Sequence, residues 1–229
     1  MAYNFLGLVN DINHRLNEVA LTSSNFATAV GYYSIAKDAV NSAVRHINQE
    51  EFEWPWNHVQ SELVVSAGSN KYYYPTDAKT VNMNSFRIRR DNTLSVGTEK
   101  LKQLLYEEWL EKYADDEFNT DASIRGVPRF IVRTPSRELI CSPVPDKAYT
   151  IVYEYYSLGY DLENALDVPG LPEQYRFAIV DGAMYYAFQF RGDTAAADVA
   201  LKKFEKQIKD LRSININRTP YLRDRRVHF

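Results

Sequence analysis

The sequence is poor in the residues that form cross-linked or metal-binding sites. Among 229 residues there is one cysteine, Cys141, so no disulfide can form within the chain. The histidines are few and scattered, without the short spacings that metal ligands share. We therefore expect no metal site, a buried and unreactive Cys141 in a short strand, and solvated side chains for His14 and His46 on helix surfaces.

Motifs for nucleotide binding and hydrolysis are also missing. The chain contains no Gly-x-Gly-x-x-Gly, Gly-x-x-x-x-Gly-Lys or Gly-x-Ser-x-Gly pattern, and the acidic run at 115–117 lacks calcium-loop spacing. No stretch approaches the roughly 18 apolar residues of a membrane span, and the first residues do not resemble a signal peptide. We expect a protein made in the cytoplasm, with no cofactor and no enzymatic activity.

Charge and aromatic residues are distributed unevenly along the chain. The net charge is −3, but the segment 215–229 alone carries +3, so the remainder carries −6. Aromatic residues make up 14% of the chain, which favours extensive protein contacts. The arginines and apolar residues of 215–229 predict a docking tail, whereas the acidic remainder argues against tight binding of nucleic acid.

Helical periodicity is clear at the N-terminal end. Apolar residues from Phe5 to Val19 recur at helical spacing behind Asn4, a candidate N-cap. A second stripe ends near Glu50, and its helix begins either at the cap candidates 22–24 or later, at Gly31.

The middle of the chain has the alternation of half-buried strands. We predict a hairpin from 63–65 and 71–74, further strands around Phe86, Phe130, Leu139 and Ile151, and an antiparallel sheet or small barrel. Between these strands, Thr98 is a candidate cap for a helix that extends to Tyr113.

A helix pair is predicted at the C-terminal end. The helix over 173–191 is apolar on two sides, Gly192 suits its end, and Asp193 suits the cap of the next helix. The predicted fold class is α+β: a helical bundle of 1–58 and 159–214, an inserted antiparallel β-rich domain of 59–158, and an extended C-terminal tail of 215–229.

The order of these segments is familiar. Leu-Val-Asn-Asp-Ile opens the first helix, a long helix closes on a Trp, and a hairpin ends Tyr-Tyr-Pro-Thr-Asp. Later come Val-Pro-Arg-Phe at 127–130, Asp-Val-Pro-Gly-Leu-Pro at 167–172 and Phe-Arg-Gly-Asp at 190–193. Over nearly its whole length the chain resembles the head-to-tail adaptor (tail tubular) proteins of short-tailed bacteriophages.

The resemblance implies a structural virion protein of the tail or neck, assembled in the host cytoplasm. It implies a homo-oligomeric ring, typically of twelve copies, that binds the portal protein and presents a platform to the distal tail (nozzle) protein. DNA would pass through its channel during genome ejection without specific binding. The large β-rich region would dock the nozzle or tail fibres.

Two sets of contact residues follow from this resemblance. The tail would enter a cleft between portal subunits through Arg218, Tyr221, Leu222, Arg223, Arg225, Arg226 and Phe229. Close packing on the neighbouring subunit would use the small-residue stripe of the helix over 173–191 and one adjacent tyrosine: Ala178, Gly182, Ala183, Tyr186 and Ala187.

Two other functions remain open at this point. One is a different tail or neck component, such as a fibre-attachment protein. The other is a carbohydrate-binding β module, to which exposed aromatic rings would contribute: Trp54, Trp56, Tyr72, Tyr73 and Tyr74. For Trp54 and Trp56, packing at a domain junction is the alternative to a sugar site.

Overall fold

A computed structural model describes residues 2–51, 53–89, 97–117 and 121–216. The chain divides into two compact units, with the divisions between Asn57 and His58 and between Leu158 and Gly159. We call the unit formed by the two outer segments the helical unit, and His58–Leu158 the β-rich unit. Helices and mainly antiparallel sheets together give the predicted class, α+β.

Four of five α-helices in the described part of the chain belong to the helical unit. In chain order the helices are α1 (Phe5–Arg15), α2 (Tyr32–Glu50), α3 (Tyr106–Lys112), α4 (Arg176–Arg191) and α5 (Thr194–Asn215). Helix α4 packs against α1, α2 and α5. This central position explains why α4 is apolar on more than one side.

The starts of the first two helices follow from their flanking residues. The side chain of Asn4 accepts a hydrogen bond from the Gly7 amide at 2.8 Å, as expected of an N-cap. Helix α1 stops at Arg15 because Asn17 takes a positive φ of 57°, so the prediction that the helix reaches Val19 was wrong. The later start for α2 is confirmed, with Gly31 at a φ of 67°.

The junction between α4 and α5 is built as predicted. Gly192 has a left-handed backbone with a φ of 74°, which ends α4 at little steric cost. Asp193 then accepts a hydrogen bond from the Ala196 amide at 3.0 Å and caps α5.

The described residues of the β-rich unit form two four-stranded sheets. In chain order the strands are β1 (His58–Val65), β2 (Lys71–Tyr73), β3 (Ala78–Arg89), β4 (Thr98–Lys100), β5 (Lys102–Leu104), β6 (Phe130–Arg133), β7 (Glu138–Ser142) and β8 (Tyr149–Ser157). The sheet orders are β1-β8-β3-β4 and β2-β7-β6-β5, and every pairing except the parallel β5–β6 is antiparallel. Phe86 and Tyr153 stack between neighbouring strands with ring centroids 4.8 Å apart.

Two local predictions in this unit were wrong. The segments 63–65 and 71–74 do not form a hairpin, because β1 pairs with β8 and β2 pairs with β7 of the other sheet. The helix predicted from Thr98 begins only at Tyr106. Before it, the buried Leu101 donates its amide to the Phe86 carbonyl at 2.9 Å, so strand pairing overrides the helical spacing of the apolar residues.

Candidate functional site

The residues predicted to bind a portal lie outside the described residues. The structure describes the end of the chain only to residue 216. The predicted residues concerned are Arg218, Tyr221, Leu222, Arg223, Arg225, Arg226 and Phe229.

The small-residue stripe of α4 lies inside the helical unit. Ala178, Ala183 and Ala187 are buried in its core. At Gly182 an added Cβ would stand 2.6 Å from the ring of Phe204 in α5, so the glycine permits the close approach of the two helices. In the single chain, this stripe is covered by other helices of the helical unit. Its predicted use as a subunit contact stays a prediction, and it would require α5 to move.

Tyr186, the remaining residue of that predicted set, belongs to a polar cluster between helices. Its hydroxyl lies 3.0 Å from Nδ1 of His46, whose Nε2 lies 3.4 Å from a Glu50 carboxylate oxygen. Arg212 of α5 pairs with the same carboxylate at 2.8 Å. The expectation of a solvated His46 was wrong, because its ring also packs edge-on against Phe204 at 5.0 Å. Only the i, i+4 spacing of His46 and Glu50 signals this cluster in the sequence.

The structure gives Cys141 the environment that the sequence predicted. The side chain is fully buried in β7, and burial raises the pKa of its thiol to about 12. No group of three or more His, Cys, Asp and Glu side chains in the described ranges could hold a metal ion. None of the helices described here combines the length and the apolar character that crossing a membrane requires.

The five aromatic residues of the predicted sugar site do not form an exposed platform in the structure. Trp54 is fully buried, and Trp56 stacks on it with centroids 4.5 Å apart, as the packing alternative predicted. In the β-rich unit the Tyr72 hydroxyl donates to the Ser69 carbonyl at 2.8 Å. Of these five rings, only that of Tyr73 is mostly exposed.

The outer side of the α4 and α5 pair carries an apolar groove. Phe177 of α4 is 63% exposed and Ile214 of α5 is 69% exposed, and both line its first half. The second half is lined by Met184, Phe188 and the exposed Val199. The full set of lining residues, which includes Asp181 of α4 and Gln207 of α5, recurs every three or four positions on each helix, so the two halves lie on one face. We call this face the α4–α5 groove.

A polar bridge crosses the middle of the groove. Asp181 accepts hydrogen bonds from Arg15 of α1 and from Gln207 of α5, each at 2.5 Å. The bridge fixes three helices relative to one another and leaves the groove apolar on either side. Lys203 and Asp210 of α5 lie at its edge.

A second exposed apolar surface is the segment 160–168, which we call the 160–168 loop. Its backbone is held by side chains of α2: Asn41 exchanges two hydrogen bonds of 3.0 Å with the backbone of Leu162, which is buried. The Asp167 carbonyl accepts from the Phe5 amide at the start of α1 at 2.8 Å. The loop is therefore fixed, while Leu166 is 74% exposed.

Acidic side chains stabilise the 160–168 loop through hydrogen bonds and give it negative charge. Arg45 forms a paired hydrogen bond with Asp161, with Nε 2.7 Å from Oδ1, and lowers the pKa of that carboxyl. Hydrogen bonds from the backbone amides of Asn164 and Glu163 lower the pKa of Asp167. Both carboxyls are thus ionised at neutral pH, and the loop contains Glu163 but no basic residue.

Comparison with known proteins identifies one matching family. The family model described as SU10 adaptor protein matches residues 3–226. The match covers almost the entire chain, both the helical unit and the β-rich unit. A search of curated proteins gives no match.

Proposed function

Since the chain belongs to the SU10 adaptor protein family, and is thus a structural phage adaptor, we propose that it forms the ring that joins a portal to the tail. The observation that carries this proposal is the family match over residues 3–226. An adaptor contacts other head and tail proteins of the virion. In our proposal the ring has about twelve copies by resemblance to adaptors of short-tailed phages, and DNA passes through its centre.

Ring formation needs two surfaces on each copy that fit one another. Exposed apolar side chains on fixed backbone are the usual material of such contacts. The helical unit offers them in the α4–α5 groove, with Phe177 and Ile214, and in the 160–168 loop, with Leu166. Both surfaces support the proposal that this unit carries the contacts between subunits.

Portal attachment is assigned in this proposal to the residues after α5. The segment 217–229 contains four arginines and one acid, together with Tyr221, Leu222 and Phe229. Arginine and aromatic side chains are the commonest anchors of protein interfaces. Many weak contacts held in one ring act together, so attachment can be strong even where each segment binds weakly.

The remaining proposed contacts concern DNA and the distal tail. An acidic channel surface repels phosphate and lets DNA slide, and the net charge of −6 on residues 1–214 is consistent with that role. We assign the β-rich unit to the docking of the nozzle or tail fibres. Its exposed apolar residues Val64 and Tyr73 support an interaction there.

Electron microscopy of a mixture with the portal protein tests the proposal. The purified protein is combined with the portal of the same virion and imaged by negative stain. We expect an additional ring beneath the portal. A portal that stays unchanged beside well-folded protein contradicts the adaptor function.

The attachment segment is tested separately by removing residues 217–229. A cut at 215 would damage the fold, because Asn215 accepts a hydrogen bond from the Tyr175 hydroxyl at 3.0 Å and Ile216 packs against the core. The shortened protein should remain folded and lose portal binding. A full-length variant with its four arginines changed to glutamine separates the effect of charge from that of length. Full binding by the shortened protein contradicts the assignment.

A further inference from the structure

We infer that the 160–168 loop of one copy docks into the α4–α5 groove of the next copy in the ring. This inference rests on the proposed ring, and it names the two surfaces that meet. It follows from the charges, the apolar side chains and the positions of the two surfaces within the helical unit.

The charges of the two surfaces are opposite. Asp161 of the loop is paired with Arg45, so Glu163 and Asp167 supply its net negative charge, and the loop contains no basic residue. The flank of the groove carries exposed lysines on α5, and in the described part of the chain they have no ion pair within 4 Å: Lys202, Lys203, Lys206 and Lys209.

The arrangement of charge along α5 keeps this flank basic. On a period of 3.6 residues the four lysines fall on the side next to Val199, together with a single acid, Asp210. The other exposed acids of α5, Asp198 and Glu205, border this flank beside Lys209, on the side away from the groove. The approach of an acidic loop is therefore favoured over that of a second basic groove.

The apolar parts of the two surfaces also match. The loop projects Leu166, with Tyr160 and Val168 exposed beside it. The groove is open between Phe177 and Ile214, which are separated from the second half by the Asp181 bridge. Because the loop backbone is already held by Asn41, docking costs little additional ordering.

The two surfaces lie on different sides of the helical unit. Asn41 and Arg45 of α2 hold the loop, whereas His46 and Glu50, on another face of α2, contact α5. A copy cannot bring both surfaces to the same partner by a two-fold rotation. The contact is heterologous, and a contact of that kind gives a closed ring where the rotation between neighbouring copies divides a full turn.

Cysteine cross-linking on portal-bound rings tests the contact. One chain carries Leu166→Cys and a second chain carries Ile214→Cys, and the mixture is treated with a short bismaleimide. Native Cys141 gives no background, because it is fully buried. We expect a covalent dimer from the mixture and none from either variant alone. A chain with both substitutions should give a ladder of multimers.

The outcomes separate this inference from the proposed function. Rings that form without cross-links overturn the contact and leave the adaptor function intact, whereas wild-type protein that forms no ring overturns the function itself. Self-linking of a single variant also overturns the contact, because it would show a two-fold interface. As a position control, Val30→Cys is equally exposed and should not link to Ile214→Cys.

A charge exchange provides an independent measurement if the cysteine variants fold poorly. Glu163→Lys or Lys203→Glu alone should weaken ring assembly on the portal about tenfold, because each places like charges together. The double variant should recover most of this loss, since every contact again joins opposite charges. If ring assembly in the double variant is weakened by the product of the two single effects, the two residues do not interact and the inference is contradicted.

Discussion

At the scale of single residues, Gly182 shows how one position fixes the approach of two helices. An added Cβ would lie 2.6 Å from the Phe204 ring, and Phe204 is itself fully buried. The ring also packs edge-on against His46, with centroids 5.0 Å apart. A methyl group at this position must displace α5 or force the ring from its rotamer.

Gly182→Ala should lower the free energy of unfolding by about 1–3 kcal/mol, the usual cost of overpacking a core. Gly170→Ala is the matched control, because nothing lies within 4 Å of the added Cβ there. Urea unfolding followed by circular dichroism measures both, and the control should change stability by about 0.5 kcal/mol or less. Equal effects of the two substitutions would show that α4 and α5 are not closely packed.

A second prediction at this scale concerns the chemical reactivity of the buried Cys141 thiol. Burial raises its pKa to about 12, so the thiolate is scarce near pH 8 and the sulfur is inaccessible. The native protein should react slowly with iodoacetamide and the unfolded protein rapidly, with mass spectrometry as the measurement. Fast labelling of the native protein would contradict the burial.

The same shift has a consequence for stability at high pH. The thiol stays neutral in the folded protein, whereas in the unfolded chain it loses its proton near its ordinary pKa of 9.0. Its contribution is fully present below about pH 9 and is lost as the pH rises toward about 12. Cys141→Ala should therefore reduce the loss of unfolding free energy over this range, as measured by urea unfolding at several pH values.

At the scale of secondary structure, the cap of α5 contributes to the groove because it fixes where that helix starts. Asp193→Ala removes the hydrogen bond to the Ala196 amide and should cost about 1 kcal/mol of unfolding free energy. The control is Asp198→Ala, which removes an exposed acid of the same helix and should lower the free energy of unfolding by only a few tenths of a kcal/mol. Thermal unfolding measures the pair, and similar shifts would contradict the capping role.

Local signals in the sequence determined the helices better than the strands. Asn4, Gly31, Gly192 and Asp193 each act within one helical turn, so their roles could be predicted. The partner of β2 is β7, far along the chain, and no local pattern contains that pairing. The turn at 67–70 therefore looked like a hairpin turn although it joins strands of different sheets.

The candidate contact surfaces were predicted only in part, for a related reason. Helical spacing identified the small residues of α4 but could not show that Phe204 would cover them. It showed that this helix is apolar on two sides but could not show that Phe177, on one of them, is mostly exposed. The 160–168 loop gave no periodic signal, because its fixed shape depends on Asn41, a residue of α2.

At the scale of the whole molecule, the route of the chain into and out of the β-rich unit allows a test of its two-unit organisation. The chain enters this unit through β1 and leaves it through β8, and His58 pairs with Tyr156 across these antiparallel strands. Paired residues lie about 5 Å apart, so the two crossing points are close together. A short linker can therefore replace the whole β-rich unit without stretching the chain.

We predict that joining residues 1–57 to 159–229 through a short Gly-Ser linker gives a folded helical protein. The core of the helical unit, which includes Val40, Ile179 and Phe204, is drawn entirely from these two segments. Circular dichroism should show a helical spectrum and cooperative thermal unfolding. The same joined chain with Ile179→Asp is the matched control, because a buried unpaired charge should abolish cooperativity. A joined chain that unfolds without cooperativity, as its control does, would mean that the helical core depends on the β-rich unit.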